Sequence, residues 1–291
     1  MKIYISPHSD DVALSCGGQI IADPHAEDET LVLNIFTSEG EGSAHKGLFD
    51  EVNSERTQED RAAWDSIGVP CEFANIPEAL LRGKFPFRLL SRDSDPGVVR
   101  SIYDAVGGLI ERHPGASFVF PAGFGSHVDH LACRDAAFRL LDDRRLDRVT
   151  LYEDVPYSWL RFIRREHYKA LLQTIELDRD SRPVALRRDG VSLGGYLRGT
   201  AVPFPRGKKL FPLVQASLLS RAFLARRAAS KSYRGVIRTM ALDDAQMAKK
   251  EALIFQYGSQ LPMLFGSEPR RALRALRESF AQEVTIEVTR R

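Results

Sequence analysis

The N-terminal half of the chain alternates short apolar runs with longer stretches in which polar and apolar residues mix. The runs are rich in Val, Ile and Phe, which is typical of strands that are buried on both faces of a sheet. They predict strands at Lys2–Ser6, Thr30–Thr37, Cys71–Ile76, Ser117–Phe120 and Val149–Tyr152.

In the stretches between these runs, apolar residues recur with the period of an amphipathic helix. This pattern predicts helices at Val12–Ala22, Asn53–Ile67, Val98–Arg112 and His130–Leu141. Because strands and helices alternate, the order favours a mostly parallel sheet with helices on both faces. We therefore predict an α/β fold of Rossmann-like type, with further elements in the C-terminal half.

The C-terminal half has a weaker pattern and a marked charge bias. Between Val191 and Ala241 there is no Asp or Glu, whereas ten residues are Lys or Arg. A helix near Asp243–Tyr257 and a strand near Glu283–Val288 are predicted after this stretch. Because no repeat or Ser/Gly-rich linker divides the chain, we expect one domain over residues 1–291. Its core would span about 1–155, and a basic elaboration would span about 190–241.

Composition narrows the class of protein further. The chain has 291 residues and a formal net charge of +2. Its three cysteines, Cys16, Cys71 and Cys133, are scattered and odd in number, which indicates reduced thiols and not a disulfide framework. No secretory signal is visible, and no run approaches the roughly 20 apolar residues of a membrane span. We expect a soluble, cytoplasmic protein with no nucleic-acid partner and no integral membrane segment. Association into a homo-oligomer is left open.

Two polar clusters carry the candidate chemistry. Pro7–Asp11 (PHSDD) follows the first predicted strand, and Ser126–His130 (SHVDH) follows the fourth. In open α/β sheets, ligands bind beyond the carboxyl ends of the strands, so both clusters belong at the same edge. Together they offer two histidines and a carboxylate to one metal ion, and this number of ligands leaves an open position, as in catalytic zinc sites.

Each cluster alone has a simpler interpretation, namely a helix start with solvated polar residues. The pairing of the two clusters is what favours a metal site. Cys133 lies one helical turn beyond His130 and fits a small buried residue better than a ligand. The other histidines have no partner at a suitable spacing and are predicted to lie on the surface: His25, His45, His113 and His167.

The two motifs, Pro-His-x-Asp-Asp at residues 7–11 and His-x-Asp-His at residues 127–130, resemble those of the zinc-dependent de-N-acetylases of the LmbE/PIG-L type. Arg56 and Glu59 resemble the family's Arg-x-x-Glu helix. Pro77-Glu78-Ala79 with Arg82 is similar to its acidic turn, although Glu78 replaces the more usual Asp. Less specific similarities lie in the Ser38–Ser43 loop and between Lys250 and Gln260.

The resemblance implies an enzyme that removes an acetyl or other acyl group from an N-acylated amino sugar or its conjugate. It implies a zinc ion held by His8, Asp11 and His130, with water completing the coordination shell. Zinc suits this reaction, because it can lower the pKa of bound water to about 7.

The resemblance also implies roles for the residues around the metal. Asp10 would be the general base that takes a proton from the water. His127, oriented by Asp129, would stabilise the oxyanion or protonate the leaving amine. Arg56 and Glu78 would bind the substrate.

Other activities were weighed against this one. Gly190–Gly194 matches the Gly-x-Ser-x-Gly nucleophile elbow, but charged residues precede it and no histidine follows His167 in the chain. A nucleotide-dependent oxidoreductase would carry Gly-x-Gly-x-x-Gly after the first strand, where His-Ser-Asp-Asp stands instead. A deacylase of a non-sugar N-acyl metabolite and a non-catalytic relative that binds metal or sugar stay as alternatives.

The basic stretch from Val191 to Ala241 and the segment Val155–Trp159 have no counterpart among the family motifs. A solvated basic face is the simplest interpretation of the stretch. A cap that attracts an anionic substrate is a second, and a peripheral membrane contact is a third.

Overall fold

The computed structural model describes residues 1–38, 46–84, 86, 95–185 and 231–291. Within them lie the strands β1 (Lys2–Ser6), β2 (Thr30–Asn34), β3 (Cys71–Phe73), β4 (Ser117–Pro121), β5 (Arg148–Tyr152), β6 (Ile175–Leu177), β7 (Tyr233–Ala241) and β8 (Gln282–Arg290).

The eight strands form one sheet in the order β3-β2-β1-β4-β5-β8-β7-β6. β1 pairs in parallel with both β2 and β4, and β3 and β5 extend the parallel part on either side. β8 pairs antiparallel with both β5 and β7, and β6 pairs in parallel with β7. The predicted mostly parallel α/β fold is confirmed, since β8 alone runs against the other described strands.

The longer helices are α1 (Asp11–Ala22), α3 (Lys46–Asp65), α4 (Pro96–Arg112), α5 (Val128–Asp142), α6 (Arg161–Leu171) and α8 (Asp244–Ile254). Shorter helices are α2 (Ala26–Glu29), α7 (Ser181–Ala185), α9 (Leu261–Phe265), α10 (Pro269–Ala275) and α11 (Arg277–Phe280), and a 3₁₀ turn spans Tyr157–Trp159.

The helices cover both faces of the sheet, as the alternation along the chain predicts. Ile5 of β1 packs into a core with residues of α4, α5 and α6, including Ile102 and Leu140. Its neighbour Tyr4 points to the opposite face, into a core that contains Trp64 of α3 and Leu253 of α8. Successive side chains on a strand point to opposite faces, so an apolar run without alternation is buried on both.

The predicted elements are present, with shifted ends. The helix predicted at Asn53–Ile67 begins earlier, at Lys46, and the strand predicted at Thr30–Thr37 ends at Asn34. Beyond Asn34 the backbone still pairs, because the Ile35 and Phe36 amides donate to the carbonyls of Ser6 and Pro7. These bonds continue the β2 path toward the carboxyl edge of the sheet.

Three features noted in the sequence lie wholly or mostly outside the described residues. They are the Gly190–Gly194 match, the Ser38–Ser43 loop apart from Ser38, and residues 191–230 of the basic stretch. The rest of the basic stretch contains β7. Among the described helices, none combines the length and the apolar character that a membrane crossing requires.

Candidate metal and catalytic site

The two polar clusters meet at the carboxyl ends of β1 and β4. The strand order reverses between these neighbours, because the chain runs outward from β1 to β3 and then returns to β4. Such a switch point leaves a crevice between the loops that follow the two strands. His8 follows β1 and Asp11 opens α1, whereas His127 caps α5 and His130 lies in its first turn.

Two imidazoles converge on one carboxylate oxygen of Asp11. Its Oδ2 lies 3.3 Å from His8 Nδ1 and 3.2 Å from His130 Nε2. The same oxygen accepts the backbone amide of His8 at 2.9 Å, and this bond fixes the turn between β1 and α1. One nitrogen of each ring therefore faces Asp11.

The other nitrogen of each ring faces a second carboxylate. His8 Nε2 lies 3.2 Å from Asp129 Oδ2, and His130 Nδ1 lies 2.6 Å from Asp154 Oδ1. In metal sites, a carboxylate on the far nitrogen fixes the tautomer and orientation of a ligating histidine. Asp129 and Asp154 occupy that position for His8 and His130.

Asp154 was missed in the sequence analysis. It comes two residues after β5, which pairs with β4, so it stands at the same edge of the sheet as the two motifs. Its Oδ2 accepts the backbone amide of Phe124 at 2.8 Å, so one carboxylate holds both His130 and the loop before α5. Its position after a neighbouring parallel strand was the available signal.

Asp129 is fully buried and is held by other groups besides His8. Arg82 donates to its Oδ1 at 2.7 Å, and the backbone amide of Ala79 donates to its Oδ2 at 3.0 Å. Arg82 also donates to the carbonyl of Pro77, so the turn after β3 is tied to α5. In the family resemblance Arg82 belongs to the acidic turn, and in the structure it holds the Asp129 carboxylate.

His127 is oriented by the backbone of Asp129 and not by its carboxylate. The Asp129 amide donates to His127 Nδ1 at 3.3 Å, whereas the carboxylate oxygen is 3.9 Å away, beyond hydrogen-bonding distance. The predicted link between the two residues therefore takes a different form. Because Nδ1 accepts a hydrogen bond, a neutral His127 ring carries its proton on Nε2.

The ionisation of the site reflects burial and mutual charge. Burial and the histidines His8 and His130 lower the pKa of His127 well below its usual value. Burial alone would lower the pKa of His8, but hydrogen bonds to Asp11 and Asp129 raise it to about 9. Burial and the neighbouring Asp11 carboxylate raise the pKa of Asp10 to about 6.

Asp10 stands at the N-cap of α1, but its side chain makes no capping hydrogen bond to the helix. The positive charge of Arg56, on α3, offsets part of the rise in the pKa of Asp10. The Arg56 guanidinium is 3.7 Å from Glu78 Oε2, so the two predicted substrate-binding residues lie together beside Asp10. Both side chains keep some exposure, 22% for Arg56 and 13% for Glu78, which is compatible with contact to a ligand.

The donor set fits a metal ion in its chemistry and its spacing. In a tetrahedral site with bonds of 2.0–2.1 Å, neighbouring ligand atoms lie about 3.3 Å apart. The separations of 3.2 and 3.3 Å from Asp11 Oδ2 to the two histidine nitrogens agree with that value. One nitrogen each from His8, His127 and His130 also lies within 4.8 Å of the others, so His127 competes with Asp11 as the third ligand.

Several expectations for residues outside the site are also resolved. Cys133 is buried among apolar residues of α5, as predicted. His25 is exposed and His113 half-buried, and His45 lies outside the described residues. The prediction of a surface position is wrong for His167, which is 2% exposed and stacks on Phe124 with ring centroids 5.0 Å apart. The spacing along the chain did not reveal that α6 packs against the loop before α5.

Comparison with known proteins adds an independent line of evidence. Residues 3–141 match the family model of GlcNAc-PI de-N-acetylase, PIG-L. The chain is similar to 2'-N-acetylparomamine deacetylase of Streptomyces fradiae, with 33% identity over 166 residues. That match covers 55% of this chain and 58% of the relative, so the chain spans less than two thirds of the relative's length.

Solved structures with the same fold extend over nearly the whole chain. The zinc-inhibited form of teicoplanin deacetylase Orf2 superimposes with a TM-score of 0.60 and 20% identity, covering 99% of this chain and 98% of that one. The A40926 pseudoaglycone deacetylase Dbv21 superimposes with a TM-score of 0.57 and 18% identity, covering 99% and 96%. The family resemblance predicted from the two motifs is confirmed by the family model, which matches residues 3–141, whereas these structures show the shared fold.

Proposed function

We propose that this protein is a zinc-dependent N-deacetylase whose substrate is an N-acetylated amino sugar, alone or within a larger conjugate. The observation that carries the proposal is the convergence of His8 and His130 on Asp11 Oδ2, with Asp10 and His127 beside them. The relative that acts on 2'-N-acetylparomamine supports an amino-sugar substrate.

His8, Asp11 and His130 would hold the metal. Asp11 is preferred to His127 as the third ligand because its oxygen lies 3.2–3.3 Å from a nitrogen of each of the other two. Bound zinc supplies a Lewis acid that lowers the pKa of water and polarises an amide carbonyl. Asp129 and Asp154 would keep the two imidazoles in the ligating orientation.

Asp10 carries the proton transfers of amide hydrolysis, and His127 stabilises the charge that develops on the carbonyl oxygen. The Asp10 carboxylate accepts a proton from the attacking water and so acts as the general base. His127 donates a hydrogen bond from Nε2 to the carbonyl oxygen as negative charge develops there. The proton held by Asp10 then passes to the leaving amine as the C–N bond breaks, giving acetate and a free amino sugar.

Arg56 and Glu78 would bind the sugar. Both side chains are partly exposed and lie 3.7 Å apart beside Asp10. A guanidinium and a carboxylate side by side offer several donors and acceptors to adjacent hydroxyl groups. Such a pair would orient the ring so that its acetamido group faces Asp10.

The adjacent residues Asp10 and Asp11 allow a matched test. Asp10→Asn should keep its zinc and lose at least about 10²-fold in kcat, the usual scale for removing a general base. Asp11→Asn should lose the metal as well as the activity. Elemental analysis and acetate release from N-acetylated amino sugars measure the two effects, with Asp28→Asn on the exposed α2 as the control.

A near-normal kcat for Asp10→Asn would remove this residue from the reaction. Zinc retained by Asp11→Asn but lost by His127→Ala would instead assign the third ligand to His127. Assays should contain no more than about one equivalent of zinc, because a structural relative is known in a zinc-inhibited form.

A further inference from the structure

The loop that presents His127 has an unusual backbone. Between β4 and α5, Gly123, Gly125 and Ser126 all have left-handed φ angles, of +81°, +87° and +58°. Ser126 is a residue type that rarely adopts this conformation, because its Cβ crowds the backbone. A loop of this shape persists only where surrounding groups hold it.

Gly125 cannot be replaced without moving its neighbours. A Cβ at this position would collide with the ring of Tyr157, and the φ of +87° favours glycine independently. The Tyr157 ring thus packs against Gly125, and the backbone amide of Gly125 points toward His167 of α6.

Two buried side chains from other elements hold the loop. Asp154 accepts the amide of Phe124, and His167 of α6 accepts the amide of Gly125 on Nε2 at 3.1 Å. His167 Nε2 also lies 3.4 Å from Ser126 Oγ. These contacts fall on the three residues directly before His127.

His167 is suited to accept these hydrogen bonds permanently. Burial and the nearby Arg134 lower its pKa to about 3, so the ring is neutral at physiological pH. A neutral ring that accepts on Nε2 carries its proton on Nδ1. The stacked Phe124 ring, inclined by 18°, fixes the plane of the imidazole.

We propose that His167 is a positioning residue for His127: by accepting the Gly125 amide it sets the backbone that places the His127 imidazole. The inference rests on the proposed deacetylase function, since it assigns His167 to the geometry of that site. His167 contacts Gly125, Ser126 and Phe124 of the loop before His127, so we expect its loss to act through this loop and to leave metal binding intact. Displacing a catalytic group by about 1 Å can cost on the order of 10²-fold in rate.

Two substitutions separate the hydrogen bond from simple filling of space. His167→Met fills much of the volume but offers only a weak acceptor, whereas His167→Gln can bring Oε1 to the position of Nε2. Leu171→Ala is the matched control, because Leu171 lies one turn further on α6 and packs in the same core. It should weaken packing without touching the loop.

For the zinc-loaded protein, we expect His167→Met to lower kcat by about 10- to 100-fold with KM and zinc content unchanged. His167→Gln should stay within about threefold of the parent, and Leu171→Ala should lower Tm while kcat is kept. The ¹⁵N NMR signals of the His127 ring should move in His167→Met and stay in place in His167→Gln. Unchanged kcat and unchanged His127 signals in His167→Met would overturn the proposal.

If His167→Met does not fold, the proposal is tested with His167→Gln. For His167→Gln we expect the kcat and the His127 ring signals of the parent. A tenfold lower kcat with shifted signals would contradict the role assigned to the His167 acceptor. The NMR measurement needs no substrate. A parent protein that releases no acetate would therefore refute the proposed function while the placement of His127 is still tested.

Discussion

At the scale of single residues, the site is built from pairs of groups rather than from isolated ligands. The place of the two motifs after two strands of one sheet predicted that the clusters would meet, and the family resemblance implied that His8, Asp11 and His130 would be the residues that face one another. The sequence did not predict which ring nitrogen faces inward, because that depends on Asp129 and Asp154 on the far side of each ring. Such contacts need the register of β4 and β5, which no local pattern encodes.

Removing the carboxylate behind His130 tests how much this support contributes. We predict that Asp154→Asn weakens zinc binding by about 10- to 100-fold, the usual cost of losing an outer-shell partner. A chelator competition on the purified protein measures the affinity. Glu153→Gln is the control, because Glu153 binds Arg164 and Tyr168 instead and should leave zinc affinity unchanged. Equal affinities for Asp154→Asn and the parent would show that Asp154 does not support His130.

Asp60 gives a prediction about pH and stability. This fully buried carboxyl of α3 accepts the Tyr257 hydroxyl at 3.0 Å, and burial raises its pKa well above the usual value. The folded protein therefore keeps this proton at a pH where the unfolded chain has lost it. Asp60 does not lower the stability of the fold at low pH, where the carboxyl is protonated in both states. As the pH rises above about 4, the unfolded chain releases this proton and the folded protein does not, so the folded protein loses stability.

Asp60→Asn should remove this loss of stability with rising pH, because asparagine does not titrate. We therefore expect the unfolding free energy of the variant, relative to that of the parent, to be higher at pH 7 than at pH 4.5 when both are measured with urea. The gain should be at most about 1.4 kcal/mol per pH unit. The exposed Asp65→Asn on the same helix should change stability by less than about 0.5 kcal/mol at both pH values. A difference for Asp60→Asn that does not depend on pH would mean that the carboxyl is ionised in the folded state.

At the scale of elements, helix ends and buried pairs determine where each helix lies. The period of apolar residues predicted α1, α4 and α5, although α1 and α5 are buried on more than one face because they pack against the sheet and neighbouring helices. Helix starts could be predicted only roughly: α8 begins with a capping box between Asp243 and Gln246, whereas α5 is capped by His127, which is also a site residue. A histidine of the candidate site thus occupies an N-cap position at which Ser, Thr or Asp is more usual.

A buried ion pair joins α8 to β8 and α1. Lys250 Nζ lies 2.6 Å from Glu283 Oε1, both side chains are 1% exposed, and Glu283 also accepts the amides of Gly18 and Gln19. We predict that Lys250→Met destabilises the protein by about 3–5 kcal/mol, since it leaves an unpaired buried carboxylate. Chemical denaturation measures this change.

The double variant Lys250→Met with Glu283→Gln provides the control. A neutral Gln can still accept one of the α1 amides, so we expect the double variant to recover part of the lost stability. Because the pair lies away from Asp11, kcat per folded molecule should not change in either protein. A double variant less stable than Lys250→Met alone would contradict the account of the unpaired charge.

At the scale of the whole molecule, the arrangement of strands could be predicted only in part. The parallel direction of β1 to β5 follows from the alternation of strands and helices, whereas their order in the sheet was not predicted. The insertion of β8 between β5 and β7 joins residues near 150 and 240 to the last ten residues, and no local pattern specifies such a pairing. The strand itself was visible in the sequence at Glu283–Val288, but its neighbours were not.

Deleting residues 282–291 tests how far the sheet depends on β8. Ile286 and Val288 are at most 1% exposed, and burial of each such side chain contributes about 1.5–3 kcal/mol. Loss of the strand also unpairs β5 and β7, so we expect the shortened chain to show no cooperative thermal transition. Removing Arg291 alone should preserve the transition. If the chain without β8 still shows a cooperative transition, the remaining strands form a stable sheet without β8.

A zinc titration of the chelator-treated protein tests whether amide hydrolysis depends on a zinc ion held by His8, Asp11 and His130. Acetate release from an N-acetylated amino sugar is measured at each step. We predict no acetate without metal, a rise that ends at about one zinc per chain, and no recovery in His130→Ala. Full activity in protein from which all metal has been removed would contradict this dependence on zinc.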